Sequence, residues 1–297
     1  MNKDPSRLCL QWKMGFLPFV LSLLAVSLAC QVPSVYSAQE GPAAVSTPTQ
    51  VFLPLLQEDG SEPDWWRPAP GTSWQIQFTG ELDFSLDVQM YDLDLFDTPL
   101  SALEELHARG VRIVCYFSAG SWEDWRPDAD SFPPEVKGNN LEGWPGEQWL
   151  DIRRLDLLGP IMAGRLDLAV AKGCDGVDPD NVDGYANDTG FELSAQDQLA
   201  YNTWMAEQAH QRGLAIGLKN DLDQVSELLP YYDWQINEQC FYYNECDLLT
   251  PFVQAGKPVF GIEYQGDTAE FCPLANALNF DVLKKKLELD AWRMACR

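Results

Sequence analysis

From Trp65 to Arg297 the chain repeats one alternation: a short apolar run of strand length, a polar turn, then an amphipathic helix or an irregular crossover. The strand-like runs are residues 74–78, 88–93, 111–117, 149–152, 174–177, 214–218, 234–237 and 258–262. A helix is expected to open at Thr98-Pro99-Leu100, with Thr98 as its cap and Pro99 in its first turn. Leu100, Leu103 and Leu106 would form its buried stripe, and Gly110 would end it. Further helices are expected over 157–172, from the Ser194-Ala-Gln-Asp197 capping box to Gly213, near 248–255 and near 280–294. Strands alternating with helices make a parallel sheet, and eight such units make a single (β/α)8 TIM-type barrel in an α/β fold. An open doubly wound sheet is the alternative. It would want a Gly-rich phosphate turn after its first strand, and none is present.

Two segments of different composition precede this domain of residues 65–297. Residues 14–29 are apolar and uncharged, follow basic residues, and are short for a membrane span, so 1–38 read as a signal peptide or lipoprotein leader. Ser27-Leu28-Ala29 before Cys30 resembles a lipoprotein box with its Leu one place out of register, whereas cleavage after Ser37 would suit an ordinary signal peptidase. A lipid anchor on Cys30 would be the one route to a membrane. Residues 39–64, rich in Pro, Ser and Thr, read as a flexible linker. Beyond the leader, Cys115, Cys174, Cys240, Cys246, Cys272 and Cys296 form an even set in an exported chain, so disulfides are expected. The preferred pair is Cys240–Cys246, closing a short loop around Phe-Tyr-Tyr-Asn-Glu. The expected location is extracellular or at the cell surface, and the expected state is a monomer.

The formal net charge of −25 argues against nucleic acid as a partner. It suits a cationic ligand, although acidity alone also keeps a secreted protein soluble. Many of the eleven tryptophans, such as Trp65, Trp66, Trp74, Trp122, Trp125 and Trp144, lie within two positions of Gly, Pro, Asp or Gln. They are either large core residues or platforms for the apolar face of a sugar ring. No C-x-x-C occurs and only His107 and His210 offer imidazole, so no zinc spacing exists and no metal or cofactor is expected. Both histidines precede helix-ending glycines, where the helix dipole suffices to explain them.

In such a barrel the active site lies at the C-terminal strand ends. Those ends carry Ser118, Asp151, Asp178, Asp180, Lys219, Asn220, Glu238 and Glu263. The densest stretch, 173–185, packs Asp175, Asp178, Asp180 and Asp183 around Val177, Pro179 and Val182, although adjacent carboxylates repel and are costly to desolvate. If the segment is extended, Asp178 and Asp180 share one face. Two carboxylates from different strands fit glycoside hydrolysis, one as acid/base and the other as nucleophile or base, with separations of ~5–5.5 Å for retention and ~6.5–9.5 Å for inversion. Trp234, Phe241, Tyr242 and Tyr243 are expected around Glu238, and Asp175, Asp183 and Glu245 as hydrogen-bonding supports. A calcium-loop reading of Asp178-x-Asp180-x-x-Asp183 fails at Val182 and Thr189. Lys219 could form a Schiff base, but a carboxylate or substrate partner is the preferred role.

Five motifs carry a family resemblance. They are Gly-Val-Asp-Pro-Asp-Asn-Val-Asp-Gly-Tyr (176–185), Cys-Tyr-Phe-Ser-Ala-Gly-Ser-Trp-Glu-Asp-Trp-Arg-Pro-Asp (115–128), Trp-Leu-Asp-Ile-Arg (149–153), Leu-Lys-Asn (218–220) and Asn-Glu-Gln-Cys-Phe-Tyr-Tyr-Asn-Glu-Cys (237–246). Together they resemble glycoside hydrolase family 114, the endo-α-1,4-polygalactosaminidases, across 65–297. The resemblance implies a TIM-type barrel that cleaves internal α-1,4 bonds of galactosamine polymers with retention. It implies Asp180 as nucleophile, ahead of Asp178, and Glu238 as acid/base. Tyr116, Ser118, Asp151, Lys219 and Asn220 then fall on positions lining the substrate groove, and Asp178, Tyr243 and Glu263 join them as expected substrate contacts. The partner is a cationic amino-sugar polysaccharide. The competing readings are a non-catalytic carbohydrate-binding barrel at the cell surface and a hydrolase for a different α-linked glycan.

Overall fold

The computed structural model describes residues 65–297. The leader, the linker and Cys30 lie outside the described residues. The chain opens with β1 (Trp74–Gln77), β2 (Met90–Asp94), α1 (Leu100–Ala108) and β3 (Arg112–Ser118). Three short strands follow, β4 (Ser121–Glu123), β5 (Lys137–Asn140) and β6 (Glu147–Leu150), which form a separate antiparallel sheet in the order β4-β6-β5. Then come α2 (Leu155–Lys172), β7 (Gly176–Asp180), α3 (Ala195–His210), β8 (Ala215–Lys219), α4 (Val225–Leu228) and β9 (Trp234–Glu238). The rest is α5 (Cys240–Tyr243), α6 (Thr250–Gln254), β10 (Val259–Glu263), α7 (Thr268–Ala277), β11 (Asp281–Lys284) and β12 (Met294–Ala295).

The main sheet has nine strands in the order β1-β2-β3-β7-β8-β9-β10-β11-β12. Its first eight members are mutually parallel, and β12 adds antiparallel to β11. The sheet curls in the manner of a TIM-type barrel. Among the described residues β1 and β11 share no ladder. Individual bonds cross that seam instead: Trp74 Nε1 to Asp281 O (2.9 Å), Gln75 Nε2 to Ala291 O (3.0 Å) and Phe78 N to Leu289 O (2.9 Å).

Alternation along the strands sorts apolar residues into two layers. Trp74, Ile76, Met90, Val114, Ala215, Trp234, Ile236, Phe260, Ile262 and Leu283 form the inner cluster. The other strand face, including Leu93, Ile113, Cys115, Val177, Ile216, Leu218 and Val282, packs on helix residues such as Leu103, Leu106, Met162, Leu166 and Met205. The large Trp234 indole fits inside because two glycines face it. A Cβ on Gly217 would lie 2.1 Å from Trp234 Nε1, and one on Gly176 would lie 2.8 Å from its ring.

Three disulfides join Cys115–Cys174, Cys240–Cys246 and Cys272–Cys296, and the second is the pair expected from its short loop. The capping box at Ser194 and Asp197 is present. Other expectations need correction. Residues 149–152 do not supply a strand of the main sheet, because β6 pairs with β4 and β5 instead. The eighth parallel strand is β11, inside the stretch expected to be a terminal helix. Lys284-Lys285-Lys286-Leu-Glu-Leu has high helix propensity, but Asp281–Lys284 pairs along β10, and that tertiary pairing prevails. Thr98 does not cap α1: Pro99 takes the N-cap position, with no side-chain cap bond. Leu100 is 49% exposed, so Ala102 replaces it in the buried stripe with Leu103 and Leu106.

Candidate active site

Period two carries the inner face of each strand upward from apolar residues to polar ones. On β7 it runs Gly176, Asp178, Asp180; on β8, Ala215, Gly217, Lys219; on β9, Trp234, Ile236, Glu238. Polar inner residues therefore converge above an apolar floor at the C-terminal strand ends. At three of those ends the next residue leaves the strand in the left-handed region: Asn181 (φ 60°), Asn220 (φ 52°) and Gln239 (φ 66°). Asparagine tolerates this conformation better than most side chains, and such outliers concentrate where a site over-determines the backbone.

Lys219 is the hub. Its ammonium is almost fully buried and lies 3.1 Å from Asp180 Oδ1 and 3.5 Å from Glu238 Oε2. Burial works against its charge, but Asp180, Glu238 and Asp178 outweigh that and hold Lys219 well above the usual lysine range. The Tyr116 hydroxyl donates to Asp180 Oδ2 at 3.0 Å, and Asn181 N donates to Asp180 Oδ1 at 2.8 Å. Glu238 has its own fixings. The Tyr264 hydroxyl donates to its Oε1, Asn220 Nδ2 reaches its Oε2 at 3.4 Å, and its backbone N–H donates to Asn220 Oδ1 at 3.0 Å. Both carboxylates remain partly open to solvent, at 21% and 29% of their side-chain surface, while the lysine between them does not.

A polar chain ties Asp180 to the small sheet. Asn181 Nδ2 donates to Ser118 Oγ (2.9 Å) and Ser121 Oγ (3.2 Å), the two hydroxyls are 2.6 Å apart, and Ser121 Oγ donates to Glu147 Oε2 at 2.8 Å. Burial pushes Glu147 up to about 7, with Glu123 and Asp180 adding to it and the Ser121 bond opposing. On the other flank, burial pushes Asp183 up to about 6 and Asp221 up to about 8. Asn202 Nδ2 donates to Asp221 at 2.9 Å.

Of the residues singled out from sequence, Tyr116, Ser118, Asp178, Asp180, Lys219, Asn220 and Glu238 are brought into this one network or directly beneath it. Three make other contacts. Asp151 pairs with Arg153 at 2.7 Å. Glu263 is buried and accepts the backbone N–H of Phe241 at 2.8 Å; burial pushes it up to about 7. It fixes the short helix α5 that follows Glu238. Tyr243 is 51% exposed and packs edge-on to Tyr242 at 5.0 Å. Of the aromatics expected around Glu238, Trp234 fills the inner core, and the Tyr264 hydroxyl bonds Glu238. Asp175 lies at the opposite end of β7, held by His107 (3.1 Å) and Arg112 (2.5 Å). His210 pairs with Asp233 at 2.9 Å and stacks on Trp65. Tyr264, Asn181 and Asp92 were not assigned roles from sequence. The positive-φ asparagine after an Asp-x-Asp strand end was the available signal for Asn181. Among the described residues no group of three or more His, Cys, Asp or Glu is arranged to hold a metal ion.

Two carboxylates from separate strands, flanking a cation at the mouth of a TIM-type sheet, are the equipment of a glycoside hydrolase. The chain belongs to glycoside-hydrolase family GH114, whose sequence profile matches residues 56–297. The crystal structure of Aspergillus fumigatus Ega3 in complex with galactosamine superimposes with a TM-score of 0.74 at 44% identity, covering 78% of this chain and 97% of that one. The glycoside hydrolase domain of PelA from Pseudomonas aeruginosa shares the fold, with a TM-score of 0.60 at 15% identity over 75% of this chain and 98% of that one. A protein of Deinococcus radiodurans is 28% identical over 287 residues, 85% of this chain and 89% of its own length.

Proposed function

We propose that the protein is an exported endo-glycosidase that hydrolyses α-1,4-linked galactosamine polymers with retention of anomeric configuration. The observation that carries this reading is the suspension of Asp180 and Glu238 from one buried lysine. The two Lys219 contacts bound Asp180 Oδ1 and Glu238 Oε2 to within about 6.6 Å, at the short edge of the inverting range and open to the retaining one. In the first step a carboxylate oxygen of Asp180 attacks the anomeric carbon. The glycosidic bond breaks as the Glu238 carboxyl gives its proton to the leaving oxygen. In the second step Glu238 takes a proton from water, the hydroxide oxygen bonds to the same carbon, and the Asp180 ester bond breaks. Tyr116, Lys219 and Asn181 aim Asp180; Tyr264 and Asn220 aim Glu238. The substrate class is supported by the galactosamine bound to Ega3 and by a net charge of −25, which attracts an unacetylated amino-sugar chain. Export is supported by three disulfides, which persist in oxidising compartments.

The test is mass spectrometry of products from partly deacetylated α-1,4-galactosamine polymer, with wild type run beside Asp180→Asn and Glu238→Gln. Wild type should give a ladder of short oligosaccharides, and each variant should lose at least about 10²-fold in rate. The first anomer formed, read by NMR, should match the substrate; the opposite anomer would replace retention with inversion. A folded wild type that leaves the polymer intact would move the reading to another α-linked glycan.

A further inference from the structure

Beneath Asp180 the barrel interior holds a second acidic pair that the reaction proposed above does not use. Asp92 on β2 is 1% exposed and Asp178 on β7 is 0% exposed. Their strands flank β3, both residues stand on the inner, alternating face of their strands with Met90 and Gly176, and each carboxyl acts on the other as its acidic neighbour. None of their four oxygens receives a donor from any other group among the described residues. Two facing carboxylates without donors are the costliest way to bury acid: each charge is desolvated, and each repels the other. One proton removes both difficulties, since it neutralises one carboxyl and supplies the missing hydrogen bond. The neighbours agree. Burial is the largest influence on both groups and pushes both upward; Lys219 pulls the other way, and Asp180 adds to the rise. The charged groups acting on the pair are Asp180 from β7, Lys219 from β8 and Glu238 from β9, and Tyr116 on β3 stands in register with Asp178.

We infer that Asp92 and Asp178 hold one proton between them, and that the single negative charge left on the pair positions the Lys219 ammonium under Asp180 and Glu238. The second half rests on the roles proposed for Asp180 and Glu238; the proton does not. Asp92 and Asp178 are positioning residues in this account, acting through Lys219.

An asparagine at either position mimics the acid–carboxylate pair, because its amide donates to the remaining carboxylate while carrying no titrating proton. Asp92→Asn should therefore fold and keep kcat within about threefold of wild type, and the double variant Asp92→Asn/Asp178→Asn, which removes the charge, should lose about tenfold or more in kcat at unchanged KM and move the alkaline limb of its pH profile. The decisive readout is independent of activity. On unfolding at pH 6, wild type should release about one proton more than Asp92→Asn, because the unfolded carboxyl ionises near pH 4. The infrared carbonyl band of an unionised carboxyl should lose intensity in the same variant. Equal proton release from the two proteins overturns the inference whatever their activities. So would failure of both Asp92→Asn and Asp178→Asn to fold, since each reproduces the shared proton. An active Asp180→Asn variant alongside the expected proton count would instead remove the proposed nucleophile and leave the pair standing.

Discussion

Lys219 is the residue on which the site's geometry turns. With its ammonium replaced by an apolar end, the two carboxylates lose their common fixing point, and Lys219→Met should lower kcat by about 10²-fold with a smaller change in KM, from a charge-assisted bond of about 1.5–3 kcal/mol to each partner. Tyr264→Phe removes one donor from Glu238 and should cost about 10- to 100-fold in kcat by the same magnitude; steady-state kinetics on soluble oligosaccharide checks both. Asp178, Asp180, Lys219 and Glu238 were legible in the sequence because each stands where an apolar run gives way to polar residues. Asp92 was not. It lies within Met-Tyr-Asp-Leu-Asp, where alternation reads as one buried and one wet face, and a barrel buries both. Tyr264 sat next to a noted strand end, but which partner its hydroxyl would meet depends on how β9 and β10 pair.

Among the elements, the eight-strand count came out right in number and wrong in membership. The run at 149–152 has the composition of a parallel strand, but it belongs to the small sheet whose Ser121 and Glu147 continue the chain of bonds from Asn181. The last strand, β11, was hidden by the helix propensity of its lysine-rich flank. Helix α1 shows a smaller version of the same limit, since leucine spacing alone put Leu100 on the buried side. The disulfides act at this scale too. Cys115–Cys174 closes a loop of 59 residues and joins β3 to the approach of β7. Replacing both cysteines with alanine should cost about 4 kcal/mol by the chain-entropy relation, against about 2 kcal/mol for Cys240–Cys246 with its separation of 6. Denaturant unfolding measures both. The second replacement should also lower kcat, because that loop begins two residues after Glu238. Gly217→Ala should destabilise by about 1–3 kcal/mol, since its methyl collides with the Trp234 ring.

For the molecule as a whole, buried acids dominate the response to pH. Burial raises Glu147 and Glu263 to about 7 and Asp221 to about 8. The folded chain keeps these protons at pH values where the unfolded chain, with carboxyl pKa values near 4, has released them. The unfolded state then binds fewer protons, so stability falls as pH rises from about 4 to about 8. Calorimetry should find Tm highest on the acid side of neutrality and lower by several degrees at pH 8; a rise over that interval would contradict the buried-acid account. The surface charge makes a separate statement. If a net charge of −25 helps gather a cationic polymer, KM should rise with ionic strength while kcat holds.

The seam between β1 and β11 has a mechanical meaning. Elsewhere neighbouring strands are zipped by ladders, so a load is shared by several backbone bonds at once. At the seam it falls on isolated bonds such as Trp74 Nε1 to Asp281 O and Phe78 N to Leu289 O, which can break one after another. Hydrogen exchange at the Phe78 and Thr79 amides should therefore outpace that in β3 and β7, and a chain pulled from its two ends should part first along this line, opening like a cut hoop while β7, β8 and β9 on the far side stay paired.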